Sequence, residues 1–236
     1  MARARCGLIP GGNRPAQAVR ASNTNISGTG TPIRGPEMTY IWHDDEDDAK
    51  KKDEKGGEGI MQKMLKSRTI LVAGTVDQEL AEKVIGQLII LNTDSHEPIR
   101  VIVSSPGGHV DSGYAIHDIM QCIESPVYTI GAGWVASIAV PILFGGDKGK
   151  RFSLPNTRYL LHQPSGGAGG QASDIRIEAQ EILKIRQRIN QLIAGETGQP
   201  IAKIAKDSDR NFWMNAEEAL EYGLITKIVS KLTEVA

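Results

Sequence analysis

From residue 60 onward the hydrophobic positions follow two alternating rhythms. Short β-branched runs predict strands at Thr69 to Ala73, at Ile99-Arg100-Val101-Ile102-Val103-Ser104, and at Val127 to Ile130. Between them, apolar residues recur every three or four positions, the period of a helix with one buried face. Asp77 opens one such helix, with Leu80, Val84, Leu88 and Leu91 on one side. A second starts near Val110 and carries Ile116, Ile119, Met120 and Ile123 toward a core. The apolar Ile138 to Phe144 reads as a buried helix, and Arg151–Ser153 and Arg158–Leu161 read as short strands. Glycine-rich Ser165 to Gly170 precedes a long helix, Ser173 to Ile193. Its stripe is Ile175, Ala179, Ile182, Ile185, Ile189 and Leu192, with Arg, Lys and Glu opposite. At 1.5 Å per residue this helix measures roughly thirty ångströms. It can project and bury its stripe against another subunit, or pack on its own domain. Asn215-Ala216-Glu217-Glu218 has the form of a capping box, and Gly223 to Val229 reads as a closing strand. Strand and helix alternate throughout, so the expected class is α/β.

The N-terminal stretch follows neither rhythm. Residues 1–37 hold five arginines, no acid before Glu37, and many Gly, Pro, Ser, Thr and Asn, a composition that cannot bury a core. It suits an organelle transit peptide, but the favoured reading is a start at Met38, with residues 1–37 outside the mature protein. Residues 44–59 pair an acidic run, Asp44 to Asp48, with Lys50 to Lys52 and a glycine-rich exit, and read as a mobile arm. The expected division is a disordered or mobile extension over 1–59 and one folded domain over 60–236.

Composition narrows the function classes. The chain has 236 residues, 40% hydrophobic and 23% charged, with net charge −1, so nothing global draws it to nucleic acid or an acidic membrane. Its cysteines, Cys6 and Cys122, build neither a disulfide framework nor a zinc site, which fits a reducing compartment; the expected setting is cytoplasmic, with no metal and no cofactor. No run approaches the roughly 18 apolar residues of a membrane span.

One stretch carries chemistry: Gly131-Ala132-Gly133-Trp134-Val135-Ala136-Ser137-Ile138. A strand breaks into small residues and ends on a lone serine before an apolar helix, whose N-terminus favours negative charge. Taken alone, Ser137 reads more readily as an N-cap than as a nucleophile. Two other features change that balance. Gly108 ends a Ser-Pro-Gly-Gly turn leaving a strand, where the backbone can present an N–H to a carbonyl oxygen. His162 ends another strand in Leu161-His162-Gln163-Pro164 and is a candidate general base.

With these residues in view the chain resembles the ClpP family, the caseinolytic serine peptidases of self-compartmentalised proteases. The resemblance rests on Ser105-Pro106-Gly107-Gly108, Gly113-Tyr114-Ala115-Ile116, Ala136-Ser137 and Gly149 to Asn156. It continues through His162-Gln163-Pro164-Ser165-Gly166-Gly167 and Glu221-Tyr222-Gly223-Leu224-Ile225, and so spans about residues 60–230. It implies a crotonase-like repeated ββα spiral with a projecting handle helix, assembled as two stacked heptameric rings, a tetradecamer. By position Ser137 would be the nucleophile, His162 the base and Asn211 the third member. The N–H groups of Gly108 and Ile138 would form the oxyanion hole. The backbone of Gly108, His109 and Val110, with Gln163, Pro164, Ser165 and Gly166, would clamp substrate as an added strand. The implied activity is endopeptidase cleavage of unfolded proteins or peptides through an acyl-enzyme. The implied partners are a ClpX/ClpA-type ATPase unfoldase and other ClpP-like subunits.

Three departures stand out. The family has aspartate where this chain has Asn211, with Asp207 and Asp209 nearby as substitutes that do not align. An asparagine carbonyl can orient the imidazole but supplies no full charge, so a weaker enzyme or a catalytically impaired scaffold subunit of a mixed ring also fits. Ile138 replaces the methionine that usually follows the serine. The ATPase docking positions hold Ile102 and Cys122, with Phe152 retained, and a charged arm replaces the family's entrance segment.

Overall fold

The computed structural model describes residues 53–167 and 169–235. The expectations for residues 1–52 lie outside the described residues. The first element is a helix, α1 (Asp53–Lys66), which begins ahead of Ile60, inside the stretch read as a mobile arm. Met61, Met64 and Leu65, spaced three and four apart, are its half-buried positions. The Met61 sulfur accepts from the Gln87 amide at 3.1 Å.

Strand β1 (Thr69–Val76), helix α2 (Gln78–Asp94), β2 (Ile99–Gly108), α3 (Val110–Cys122) and β3 (Val127–Ala136) follow in alternation. A short helix α4 (Ala139–Phe144) precedes β4 (Arg151–Ser153) and β5 (Arg158–Leu161). The long helix α5 (Ala172–Thr197), α6 (Ile201–Asp207), β6 (Phe212–Met214), α7 (Ala216–Tyr222) and β7 (Lys227–Ile228) complete the order. The sheet runs β1-β2-β3-β4-β7 with every neighbour parallel. Strand β3 forks: Thr129 to Gly131 pair with β4, while Trp134 to Ala136 pair with β5. Strand β6 then adds to β5 antiparallel. Gly131 sits at the fork because the Tyr159 hydroxyl fills the place a Cβ would need.

Strands β1, β2 and β3 run further than their hydrophobic runs predict. Ser105, Gly107 and Gly108 carry no hydrophobic signal, yet their backbones pair with Val135, Thr75 and Val76. The closing strand is shorter than expected. Gly223, at φ 93°, caps α7 in the left-handed conformation, and only Lys227–Ile228 pairs with β4. The capping box of Asn215 and Glu218 forms with both reciprocal bonds at 2.8 Å.

The main core lies between the sheet and its helices, centred on Leu88, Ile99, Val101, Ile116, Val140 and Phe144. A smaller cluster of Ile130, Phe152, Val229 and Val235 includes Ile102 at its margin. Arg151 joins these layers: its buried guanidinium pairs with Glu196 at 2.6 Å and donates to the Phe144 and Gly146 carbonyls. It thereby holds the C-terminal end of α4, where a positive charge is favoured. Helix α5 divides in two. Ile189, Asn190 and Ile193 are buried on the domain, whereas every residue from Gln171 to Glu181 is exposed.

Candidate active site

Ser137 stands at the turn from β3 into α4 with φ 57°, in the left-handed region. A residue with a Cβ adopts this at a cost of about 1–2 kcal/mol, so the surroundings must hold it. They do so from both sides. The Ser137 N–H donates to the Leu160 carbonyl at 3.0 Å, and its own carbonyl accepts from Val140 at 3.0 Å. The cap position of α4 is Ile138, and no side chain caps this helix. Ser137 is therefore not the N-cap that its position suggests, and its half-buried hydroxyl is left for other work.

Gly107 explains how the turn fits. It has φ 92°, and a Cβ there would lie 2.7 Å from both the Ser137 Cβ and the Ala136 oxygen. Gly108, at φ 149°, presses against Val76, and the next N–H, of His109, donates to the Val76 carbonyl at 2.7 Å. The diglycine thus brings β2 against the serine turn, with the Ile138 nitrogen 3.2 Å from the place of a Gly107 Cβ. Sequence reasoning emphasised Gly108. Gly107 makes the closer approach to Ser137, and the doubled glycine was the signal for both.

His162 follows β5 directly, and Asn211 directly precedes β6. Leu161 and Phe212 are register partners, so His162 and Asn211 occupy facing positions one step beyond the last rung. His162 borders two hollows. One is a cleft of about 20 Å³ shared with Ser137. The other is an open groove of about 560 Å³ bounded by Gln163, Pro164 and Ser165 on one side and by Asp209, Arg210 and Asn211 on the other. Among the described residues no hydrogen bond links Ser137, His162 and Asn211, and Asn211 is exposed.

The expected substrate-clamp residues divide by role. Val110 and Pro164 line the cleft, and Gln163, Pro164 and Ser165 line the groove. The His109 ring is engaged as the N-cap of α3, with Nδ1 2.8 Å from the Ser112 hydroxyl. Gly166 packs toward Ile182, which would lie 2.9 Å from an added Cβ. Neither neighbouring aspartate replaces Asn211. The Asp209 carboxylate pairs with Arg186 of α5 at 3.1 Å. Asp207 accepts from Lys203 at 2.6 Å and from the Tyr222 hydroxyl at 2.8 Å. Burial alone would raise the Asp207 pKa, but these two hydrogen bonds and the charges of Lys203 and Lys206 outweigh it and hold it below its ordinary value.

A serine held in a strained turn, a diglycine against it, and a histidine on the same cleft match acyl-transfer chemistry. Comparison with known proteins agrees. Residues 52–232 match the family model described as Clp protease. The ATP-dependent Clp protease proteolytic subunit 3 of Rhizobium meliloti is 49% identical over 193 residues, 82% of this chain and 99% of that one. The corresponding subunit 2 of Gluconobacter oxydans is 42% identical over 220 residues, covering 89% and 99%. Among solved structures, a mutant of ClpP1 from Listeria monocytogenes superposes with TM-score 0.70 at 44% identity, over 75% of this chain and 99% of that one. The chain belongs to the ClpP family of serine peptidases and has the ClpP fold.

Proposed function

We propose that this chain is a serine endopeptidase subunit of a self-compartmentalised ring protease. The observation that carries the reading is the strained Ser137 turn, packed against Gly107 and opening on the cleft that His162 borders. Ser137 Oγ attacks a peptide carbonyl carbon while His162 takes its proton. The N–H groups of Gly108 and Ile138 receive the developing oxyanion. His162 then returns the proton to the leaving amine, and water attacks the acyl-enzyme with His162 again as base. Asn211 orients the ring by accepting its Nδ1–H through the amide carbonyl. The main chain at Gly108–Val110 and at Gln163–Gly166 aligns the substrate as an added strand.

Ring assembly is supported by the exposed half of α5. Ile175, Ile177 and Leu183 are 43%, 52% and 61% exposed, an apolar surface that suits contact with another subunit. The relatives' names describe ATP-dependent subunits, which supports an ATPase partner; a cytoplasmic setting is part of the same proposal. Among the described residues no helix is long and apolar enough to cross a membrane.

A second reading is a catalytically impaired subunit working beside active ones in a mixed ring. It is favoured by one observation, the exposed Asn211 without a bond to His162. Hydrolysis of a short fluorogenic peptide by the purified protein, with Ser137→Ala as control, separates the two. Turnover that disappears in the alanine variant supports the peptidase. An assembled particle without turnover supports the scaffold.

A further inference from the structure

The cleft shared by Ser137 and His162 is an apolar recess whose other walls are Val110, Ile138, Leu161, Pro164, Ile189 and Ile193. When Ser137 attacks a carbonyl whose oxygen points to the Gly108 and Ile138 N–H groups, the side chain on the acyl side of the scissile bond lies next to the serine. This recess borders both Ser137 and His162, where that side chain would sit. Its room is about 20 Å³. That is the space of about one water-sized group, enough for a methyl and far short of an isobutyl or benzyl group.

The walls are also stiff. Four of these six residues are β-branched, with restricted χ1, and a fifth is the rigid ring of Pro164, unlike a flexible methionine wall that can move aside. Ile138 is 1% exposed and interlocks with α3, where its Cγ1 takes the place a Gly113 Cβ would need. Ile193 is 2% exposed and Ile189 is 9% exposed, both seated in the core.

We propose that Ile138, Ile189 and Ile193 restrict this peptidase to substrates with alanine or a similarly small residue on the acyl side of the cleaved bond. The proposal rests on the peptidase reading above. A pocket that lacks room for one added methylene group discriminates by roughly 10- to 200-fold, so alanine exceeds leucine and phenylalanine by at least about tenfold.

The test uses the assembled full-length protein and two readouts. A fluorophosphonate probe labels Ser137, with Ser137→Ala as the blank. Peptide boronic acids ending in alanine, valine, leucine or phenylalanine then compete with that labelling. Protection strongest with alanine, and a relative gain of about tenfold for leucine in Ile189→Ala, is the expected result. Ile189→Val, a smaller deletion that the core tolerates better, shifts the order in the same direction. Labelling that leucine or phenylalanine protects as well as alanine overturns the size restriction and leaves the peptidase intact. Absence of labelling overturns the peptidase reading, and the restriction falls with it.

Discussion

The side-chain amide of Gln163 donates to the main-chain carbonyl of Asp209 at 2.8 Å. This bond ties the residue after His162 to the segment two residues before Asn211. The same segment is held from outside by Arg186 of α5, through the Asp209 carboxylate. The spacing of histidine and asparagine thus depends on two contacts that are not themselves chemical.

Replacing Gln163 by alanine removes the tie between the β5 exit and the β6 approach while leaving all three proposed catalytic side chains in place. Misplacement by about an ångström costs up to about 100-fold in rate, so kcat toward a short peptide falls by roughly tenfold or more. Thermal stability changes little, because Gln163 borders an open groove. Steady-state kinetics beside a thermal melt checks this. Unchanged kcat would show that the loop is positioned by Arg186 alone.

Gly107 offers a sharper test of the serine turn. An added Cβ would meet the Ala136 oxygen and the Ser137 Cβ at 2.7 Å, and φ 92° disfavours any L side chain. The obstruction is backbone and a short side chain, so nothing flexible can yield. Gly107→Ala is expected to abolish reaction of Ser137 with a fluorophosphonate and to cost about 1–3 kcal/mol of stability. By contrast Gly149, with nothing near its Cβ position, carries only the strain of φ 90°. Gly149→Ala serves as the control and retains labelling.

The degree to which the fold could be read from the chain follows from where its information lies. Leu80, Val84, Leu88 and Leu91 repeat at helical period, and their helix formed with Asp77 as its cap, donated to by Leu80. The fork in β3 carries no such periodic signal. It depends on Tyr159 reaching Gly131 from a strand 28 positions further along the chain, a contact that only the folded sheet creates. At the candidate site, Ser137 and His162 stood out only in combination with the Gly107-Gly108 turn and the family resemblance, and the fold puts both on one cleft. Ser137 as an N-cap was the wrong local expectation, since its φ is set by Gly107 and Leu160, both distant in sequence. The engagement of Asp207 by Tyr222 and Lys203 was invisible for the same reason.

That engagement makes a prediction about pH. Asp207 has a folded pKa below its ordinary value of 3.8, so its charged form is favoured by folding. Its contribution is fully present above that ordinary value and is lost as pH falls through the lower folded one. Asp207→Ala is expected to lose about 1 kcal/mol near neutral pH, the scale of a charged hydrogen bond discounted for partial exposure. The difference from the parent protein narrows below about pH 4. Denaturant midpoints measured at neutral pH and at successive acid steps decide it. A gap that stays constant into acid would mean that Asp207 acts by packing alone.

Under the proposed peptidase reading, Asn211 is the residue expected to set how strong the catalyst is. It faces His162 beyond the Leu161–Phe212 pair, on the rim of an open groove, and is exposed. An aspartate there meets little desolvation cost, because water already reaches the position. Its carboxylate would stabilise the imidazolium that forms as Ser137 attacks, which an amide carbonyl does only weakly. In the reverse direction, loss of the charge from a serine-protease triad costs about four orders of magnitude, attributed to the wrong tautomer. Solvent screening at an exposed rim reduces the gain available here. Asn211→Asp is therefore expected to raise kcat/KM on a short peptide by at least about tenfold, with Asn211→Ala moving it down. Parallel measurement of both variants separates charge from orientation. A fall in both would show that the amide itself, acting as hydrogen-bond acceptor in this geometry, is what the site is built around.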